Sequence, residues 1–319
     1  MLPPWFARLE RALAEGDACA LAAVPKTDLH CHGLLSAPPA AYEAVLGRPL
    51  APPPRRFADF DAFSRYIVEE VSPVLSRCEA VRSIVRASFA RLIDDGVVYA
   101  EMSFDLVLPH ILGMSAGRFA DLLSEEAAHV ASRTTVALEI GVNRALPVDM
   151  ALVLAREWID TGVYRSIDLY GDERLGETTA FAPLYELAAA RGLKRKAHAG
   201  ELCDAASVRT ALEVLGVDAI HHGVRAVEDP EVVAMLAERG TVLHVCPTSN
   251  LALGVCDDLA DHPAAALHGA GVALTVNTDD FTVFGASVCD EILALSRMGL
   301  DAAAIATIIE RGLAERPRS

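Results

Sequence analysis

Short apolar runs alternate with amphipathic segments along most of this chain. Eight short runs, most of them apolar, are candidates for strands. They are Thr27–His32, Val97–Phe104, Thr134–Ala145, Tyr164–Gly171, Leu193–Ala199, Asp218–Gly223, Thr241–Cys246 and Val272–Thr278. Segments with helical spacing of apolar residues lie between them, among them Ala116–Arg133, Val148–Thr161, Pro183–Arg191, Ala205–Leu215, Pro230–Arg239 and Pro263–Ala270.

This alternation implies parallel strands, because each helix returns the chain to the edge from which the next strand starts. Eight strand–helix units predict an α/β fold of the closed (β/α)8 TIM barrel type. Alternation does not by itself show that the sheet closes. An open doubly wound sheet is therefore the alternative architecture.

Two segments stand outside this alternation. Apolar spacing in Phe6–Leu21 predicts an N-terminal helix, which Glu15-Gly16-Asp17 interrupts or ends. After the first strand, Ala37–Arg56 holds six prolines among small residues and predicts a loop or an irregular lid. Phe57–Asp95 is predicted to be mostly helical apart from Pro73, so a helical insertion follows strand one.

Composition excludes several classes of function. The 319 residues are 52% hydrophobic and contain no Gly/Ser linker, which predicts a single domain spanning residues 1–319. A net charge of −16 argues against a nucleic-acid partner, because phosphate binding needs clustered Lys and Arg. Seven scattered cysteines without a CxxC pair indicate reduced thiols. Apolar runs too short to span a membrane, and a start without signal-peptide features, predict a cytoplasmic protein.

Candidate catalytic side chains fall at the carboxyl ends of the predicted strands. They are His30 and His32 at strand one, His198 and Glu201 at strand five, His222 at strand six, and Asp279 and Asp280 at strand eight. A barrel gathers all its carboxyl ends on one face, where active sites of this fold are built. Three imidazoles and one carboxylate suit Zn²⁺, with water in the open position.

Each of these motifs also has an ordinary structural explanation. A His-x-His pair lies more often on a strand surface or in a core than at a metal. The Asp279-Asp280 pair could cap a helix, and His221-His222 could be one packed and one exposed imidazole. Their joint occurrence at one end of one barrel favours a metal site over separate structural roles.

The same residues carry a family resemblance. From Pro25 to about Glu291 the chain resembles the adenosine/AMP deaminase family of metal-dependent aminohydrolases, which implies a (β/α)8 barrel with one catalytic zinc. The matching segments, in the order of the family, are Pro25-Lys26-Thr27-Asp28-Leu29-His30-Cys31-His32, Asp168-Leu169-Tyr170-Gly171-Asp172-Glu173, His198-Ala199-Gly200-Glu201, His222-Gly223, Cys246-Pro247-Thr248-Ser249-Asn250 and Asn277-Thr278-Asp279-Asp280.

The resemblance implies a role for each candidate. One zinc per chain would be held by His30, His32, His198 and Asp279 and would activate a water by lowering its pKa. That water attacks the amino-bearing ring carbon, while His222 and Asp279 orient or deprotonate it. Glu201 acts as a protonated acid toward the adjacent ring nitrogen, and Asp280 and the Gly171 backbone hold other ring nitrogens. The substrate-contacting residues are expected to be Gly171, Asp280, His32 and Leu34.

Departures from the family pattern concern the substrate rather than the chemistry. Leu34 stands where adenosine deaminases usually carry Asp, so recognition of a 5′-hydroxyl is expected to change. His221 replaces a Gly, Ser103 an Arg, and Phe281 a Pro. The leading hypothesis is deamination of adenosine or a 5′-modified adenosine. The alternatives are deamination of adenine or another aminopurine or aminopyrimidine, another amidohydrolase reaction such as C–O or P–O hydrolysis, and purine binding without turnover.

Overall fold

Eight parallel strands follow one another around a sheet in chain order. The computed structural model describes residues 3–317. The strands are β1 (Lys26–His32), β2 (Val97–Asp105), β3 (Thr135–Asn143), β4 (Tyr164–Tyr170), β5 (Lys194–Ala199), β6 (Ala219–His222), β7 (Val242–Val245) and β8 (Ala273–Val276). All eight predicted strands are present, with ends shifted by one or a few residues.

The sheet closes on itself between β1 and the segment that follows β8. Cys31 pairs with Asp279 in a parallel bridge, and the Asp279 N–H donates to the His30 carbonyl at 2.9 Å. The Leu29 N–H donates to Asn277 Oδ1 at 2.8 Å. These bonds satisfy backbone N–H and C=O groups that would stay unpaired at the edges of an open sheet. The (β/α)8 barrel is confirmed, and the doubly wound alternative is wrong.

Helices surround the barrel. They are α1 (Phe6–Glu15), α2 (Ala18–Leu21), α3 (Pro39–Leu46), α4 (Phe60–Tyr66), α5 (Cys78–Asp94), α6 (Leu108–Ile111), α7 (Ala116–Val130), α8 (Val148–Ile159), α9 (Ala182–Ala190), α10 (Ala205–Thr210), α11 (Pro230–Arg239), α12 (Pro247–Ala252), α13 (Ala264–Gly269), α14 (Phe281–Phe284), α15 (Val288–Arg297) and α16 (Ala302–Ala314). Shorter π and 3₁₀ turns cover Ile67–Val71, Ser72–Ser76, Thr178–Phe181, Ala211–Leu215, Val224–Glu228 and Leu259–Asp261. Between residues 3 and 317, no helix has the length and apolar character needed to cross a membrane.

The N-terminal prediction is confirmed: α1 ends at Glu15, and Asp17 caps the next helix by accepting from the Ala20 N–H. The prediction for Ala37–Arg56 is partly wrong, because Pro39–Leu46 forms a helix. Proline is favoured in the first helical turn, where its missing N–H costs nothing, and Tyr42 anchors the helix by being fully buried. The prolines of this segment predict irregular structure, but Pro39 begins a helix.

The core lies between the barrel and its helices. Large side chains such as Phe89, Phe119 and Trp158 are buried there, in contact with apolar residues of the strands. Burying each such side chain contributes on the order of 1.5–3 kcal/mol. The strands are thus held by packing on their outer faces, which leaves the inside of the barrel free to hold polar residues.

Candidate active site

The four predicted metal ligands lie together at the carboxyl end of the barrel. His30 and His32 come from β1, His198 from β5, and Asp279 from just beyond β8. His30 Nε2 lies 3.1 Å from His198 Nε2 and 3.6 Å from Asp279 Oδ1. His32 Nε2 lies 3.4 Å from the same Asp279 oxygen. Four donor groups that are distant in sequence therefore converge on one small volume.

This donor set fits a divalent cation with the preferences of zinc. Zinc binds imidazole nitrogen at about 2.0–2.1 Å in a tetrahedral arrangement, so two ligating nitrogens come as close as those of His30 and His198. The second nitrogen of His198, Nδ1, lies 3.1 Å from Asp168 Oδ2. A carboxylate on the far nitrogen orients a metal-binding imidazole and raises its basicity. Asp168 thus occupies the supporting position that such a site requires.

Two residues of the site have a left-handed backbone although they are not glycine. His222 has φ of 61° and Asp279 has φ of 59°. For residues with a side chain this region is sparsely populated and costs on the order of 1–3 kcal/mol. Both side chains are buried, and Ser249 Oγ donates to Asp279 Oδ2 at 2.6 Å. The surrounding contacts hold these two residues where the strands end.

Burial and charge shift the acids and bases of the site in opposite directions. Burial, and next the negative charge of Asp279, raise the pKa of Glu201 well above its ordinary value. Burial lowers the pKa of His222 to about 3. Perturbations of this kind favour a neutral Glu201 that can donate a proton and a neutral His222 at physiological pH.

The loop that carries Glu201 is held by another carboxylate. Glu173 accepts from the N–H groups of Gly200, Glu201 and Leu202 at 2.9, 2.8 and 3.0 Å. Gly200 has φ of 69°, and a Cβ there would lie 2.4 Å from Val208 Cγ2. Only glycine fits this turn without displacement. The turn places Glu201 beside His222, whose Nδ1 lies 3.4 Å from Glu201 Oε1.

A cavity of about 370 Å³ opens over these groups. Its polar end is formed by residues expected from the sequence, namely His32, Gly171, His198, Glu201, His222, Asp279 and Asp280. Its apolar wall comes largely from the helical insertion after β1 and includes Leu35, Phe60, Phe63, Ile67, Val68 and Leu253. Gly171 lines it with φ of 99°.

Leu34 is not among the residues lining this cavity. Its side chain packs against the hydrophobic core, and its carbonyl accepts a hydrogen bond from the Tyr42 hydroxyl. Leu35, one position later, reaches the cavity instead. After β1, the leucine that lines the cavity is therefore Leu35.

Comparison with known proteins agrees with this geometry. A family model described as adenosine deaminase matches residues 50–315. The chain belongs to the adenosine deaminase family. Members of this family are metal-dependent, and this chain is an adenosine deaminase-like aminohydrolase that acts on C–N bonds.

Three similar proteins illustrate the range of names within the family. A putative adenosine/adenine deaminase of Treponema pallidum (strain Nichols) is 30% identical over 86% of this chain and 92% of its own. An aminodeoxyfutalosine deaminase of Acidothermus cellulolyticus is 32% identical over 89% of this chain and 86% of its own. The crystal structure of an adenine deaminase from Arthrobacter aurescens has a TM-score of 0.83 at 27% identity, covering 92% and 94% of the two chains.

Within this adenosine deaminase-family site, the ordinary explanations for the motifs do not hold. Asp280 precedes α14, yet its side chain makes no capping hydrogen bond. Asp280 Oδ1 is buried and has no hydrogen-bond partner within residues 3–317. His221 and His222 are both buried. An unpaired buried oxygen in a cavity is available to a ligand.

Several supporting residues were not singled out by sequence reasoning. Asp168, Glu173, Ser249 and Asn250 occur in the motifs that carried the resemblance, but only their contacts reveal what they hold. His262 had no signal at all in the sequence, and the structure places its buried ring 3.1 Å from Asn250. Residues that orient other side chains have no characteristic spacing, so only their position in the fold identifies them.

Proposed function

We propose that this chain catalyses the hydrolytic deamination of a 6-aminopurine nucleoside, adenosine or a 5′-modified adenosine, to the inosine analogue and ammonia. The observation that carries the proposal is a cavity with acid, imidazole and unpaired carboxylate groups at one end and an apolar wall at the other. Family membership supports a purine carrying an exocyclic amino group as the substrate.

The proposed cofactor is one zinc ion per chain, held by His30, His32, His198 and Asp279. When bound, zinc supplies a water molecule of lowered pKa as a nucleophile at neutral pH. The 3.1 Å separation of His30 Nε2 and His198 Nε2 supports this set of ligands. Asp168 supports the ring of His198 by accepting at Oδ1 from its Nδ1, at 3.2 Å.

Glu201 is the proposed general acid. Its raised pKa leaves a proton on the carboxyl at neutral pH, and this proton passes to the ring nitrogen next to the amino-bearing carbon. Proton transfer to the ring makes that carbon more electrophilic as water adds to it. His222 and Asp279 orient or deprotonate the water, and the amino group leaves as ammonia once it is protonated.

The rest of the purine is held at the remaining polar positions. Asp280 and the Gly171 backbone are the proposed partners of the other ring nitrogens, and both line the cavity. His32 lies at the same end, beside Asp279. Burial, and next the charge of Asp279, raise the pKa of Asp280 well above its ordinary value, so a protonated Asp280 can donate to a ring nitrogen. That contact would satisfy a buried carboxyl whose Oδ1 has no partner in the described part of the chain.

The apolar wall supports a nucleoside rather than a free base. A volume of about 370 Å³ falls in the range of roughly 300–1,000 Å³ typical of cavities for drug-sized ligands. Val68 and Leu175 line the cavity and remain 64% and 49% exposed. These apolar side chains can cover a sugar or an apolar 5′-substituent, which adenine does not have.

A substrate panel tests the proposal. We expect kcat/KM for 5′-deoxyadenosine and 5′-methylthioadenosine to equal or exceed that for adenosine, and adenine to be at least ~10-fold poorer. Each missing group that fills a pocket costs about 1–3 kcal/mol, or roughly 10–200-fold. The measurement is the ultraviolet absorbance change on deamination, with ammonia release as a second readout.

Adenine deamination is the second candidate, favoured by the similarity to an adenine deaminase in sequence and fold. A preference for adenine over every nucleoside in the panel would establish it and contradict the nucleoside proposal. Turnover of phosphate or carboxylic esters without ammonia release would indicate another amidohydrolase reaction. Binding without any turnover by metal-loaded protein would indicate a purine-binding protein. The cytoplasmic location predicted from the sequence stays a prediction.

A further inference from the structure

A line of hydrogen bonds enters the active site from the loop before α13. The Ala264 N–H lies 3.2 Å from His262 Nδ1, and His262 Nε2 lies 3.1 Å from Asn250 Oδ1. Asn250 Nδ2 in turn lies 3.2 Å from His222 Nδ1 and 3.3 Å from Glu201 Oε1. All four side chains are buried. One amide group therefore contacts both proposed acid–base residues.

The first bond determines the direction of all the others. A backbone N–H can only donate, so His262 Nδ1 accepts and carries no proton. Burial lowers the pKa of His262 to about 4, so at neutral pH its single proton is on Nε2. That proton must be donated, and the Asn250 atom that receives it is the carbonyl oxygen. The orientation of the Asn250 amide, which atom positions alone seldom decide, follows from this bond.

The Asn250 NH₂ group then faces two acceptors. One hydrogen is directed to His222 Nδ1 and the other to Glu201 Oε1. A nitrogen that accepts a hydrogen bond carries no proton, so a neutral His222 must be protonated on Nε2. A protonated carboxyl accepts hydrogen bonds chiefly through its carbonyl oxygen, so a protonated Glu201 that accepts at Oε1 carries its proton on Oε2. Oε2 has no hydrogen-bond partner among residues 3–317, whereas Oε1 accepts from Asn250.

We propose that His262 and Asn250 are positioning residues that place the proton of His222 on Nε2 and the proton of Glu201 on Oε2. The inference rests on the roles proposed above for His222 and Glu201 in deamination. His222 Nε2 lies 3.8 Å from Asp279 Oδ2, so its N–H faces the metal-binding side of the site. His222 enters the reaction as a hydrogen-bond donor that orients the water, and the first proton of the water passes to Asp279.

The protonation pattern of His222 can be measured without turnover. In the metal-loaded protein with ¹⁵N-labelled histidine, the ¹⁵N shifts and two-bond couplings distinguish a ring protonated on Nε2 from one protonated on Nδ1. The chain has ten histidines, and the His222 signals are those lost in His222→Asn. We expect the Nε2–H form. A wild-type His222 protonated on Nδ1 overturns the proposal.

The hydrogen bonds that run from Ala264 through His262 and Asn250 to His222 are called the relay here. Variants of His262 test whether the relay places the proton of His222 on Nε2. His262→Leu removes the N–H that donates to Asn250, so the His222 signals should shift toward a mixture of the Nε2–H and Nδ1–H forms. The kcat should fall at least ~10-fold with KM little changed, since the buried Asn250 carbonyl loses its partner. His262→Gln keeps an N–H donor and should recover most of kcat. His268→Leu is the control, because the side chain of this histidine, which lies in α13, has no hydrogen bond among the described residues.

Asn250→Asp covers the case in which the His262 variants do not fold. A carboxylate of the same size only accepts hydrogen bonds, so it should draw the His222 proton to Nδ1 and lower kcat while metal content stays unchanged. Unchanged His222 signals and unchanged kcat in His262→Leu or in Asn250→Asp refute the relay. A wild-type protein with Nε2–H His222 that deaminates no purine refutes the proposed function and leaves the proton placement supported.

Discussion

Two layers of polar residues fill the inside of the barrel, and they differ in how their charges are satisfied. The site layer comprises His30, His198, Glu201, His222 and Asp279 at the carboxyl end of the strands. The sealed layer lies beneath it and comprises Glu101, Glu139, Lys196, His221 and His244. The layers touch where the rings of His30 and His221 stack with centroids 3.8 Å apart.

In the sealed layer, one lysine is paired with two carboxylates. Lys196 Nζ lies 2.5 Å from a carboxylate oxygen of both Glu101 and Glu139 and donates to the Leu29 carbonyl at 3.1 Å. Burial lowers the pKa of Lys196, but the two carboxylates outweigh it and raise that pKa above its ordinary value. Ser166 donates to Glu139 at 2.6 Å and Tyr99 to Glu101 at 3.0 Å. A buried charge network of this kind needs no ligand.

The site layer contains no lysine or arginine that could pair with its carboxylates as Lys196 does in the sealed layer. Its imidazole nitrogens face one another and a carboxylate oxygen at 3.1 to 3.6 Å, without a positive side chain between them. A cation and a substrate are the proposed partners of this layer, while Lys196 pairs with the carboxylates of the other. The comparison shows that burial of polar groups alone does not mark a functional site. What distinguishes the site layer is that most of its side chains line a cavity, whereas none of the sealed layer does.

Removing a ligand from the site layer has the largest expected effect on activity. His198→Ala should lose bound zinc, and its deaminase activity should fall to background, because one of four donors is gone. Elemental analysis of zinc per chain and an activity assay at saturating zinc provide the measurements. His268→Ala serves as the control and should keep both. Full zinc occupancy in His198→Ala would contradict the ligand assignment.

Changing the acid of the same layer should affect the reaction but not the metal. Glu201→Gln keeps the shape of the side chain and cannot supply an acidic proton, so kcat should fall by at least ~10². Zinc content should stay at the wild-type level. The free energy of unfolding should stay equal or rise, since the amide does not have to take up a proton on folding, as the buried Glu201 carboxyl does at neutral pH. Glu186→Gln on the exposed face of α9 is the matched control. Near-normal kcat in Glu201→Gln would exclude this residue from the mechanism.

A substitution in the sealed layer should reduce the stability of the protein but leave its metal content and kcat largely unchanged. Lys196→Met leaves Glu101 and Glu139 without a counter-charge and should reduce the free energy of unfolding by about 3–5 kcal/mol. Metal content and kcat of the remaining folded protein should change little. Urea unfolding followed by circular dichroism measures the loss.

The double variant K196M/E101Q also removes one of the two opposing charges and should recover part of that stability. If Lys196→Met instead abolished zinc binding in folded protein, the two layers would act as one site. The distinction between them would then have to be abandoned.

Much of this architecture follows from local pattern. The eight apolar runs and the helical spacing between them determined the order of elements, because strands and helices repeat their buried positions with different periods. The same pattern placed His30, His198, His222 and Asp279 at strand ends, and closure of the barrel brings strand ends together. The family resemblance added their proposed roles. Local spacing misjudged Pro39–Leu46, where proline begins a helix.

Tertiary structure alone decided the rest. Whether the sheet closes depends on bonds between β1 and the segment after β8, which lie at opposite ends of the sequence. Which of Leu34 and Leu35 lines the cavity depends on the turn after β1. The ion pairs of Lys196 and the contact of His262 with Asn250 have no sequence signature. Hydrogen bonds and ion pairs act over a few ångströms in space, and only the folded chain determines which distant residues come that close.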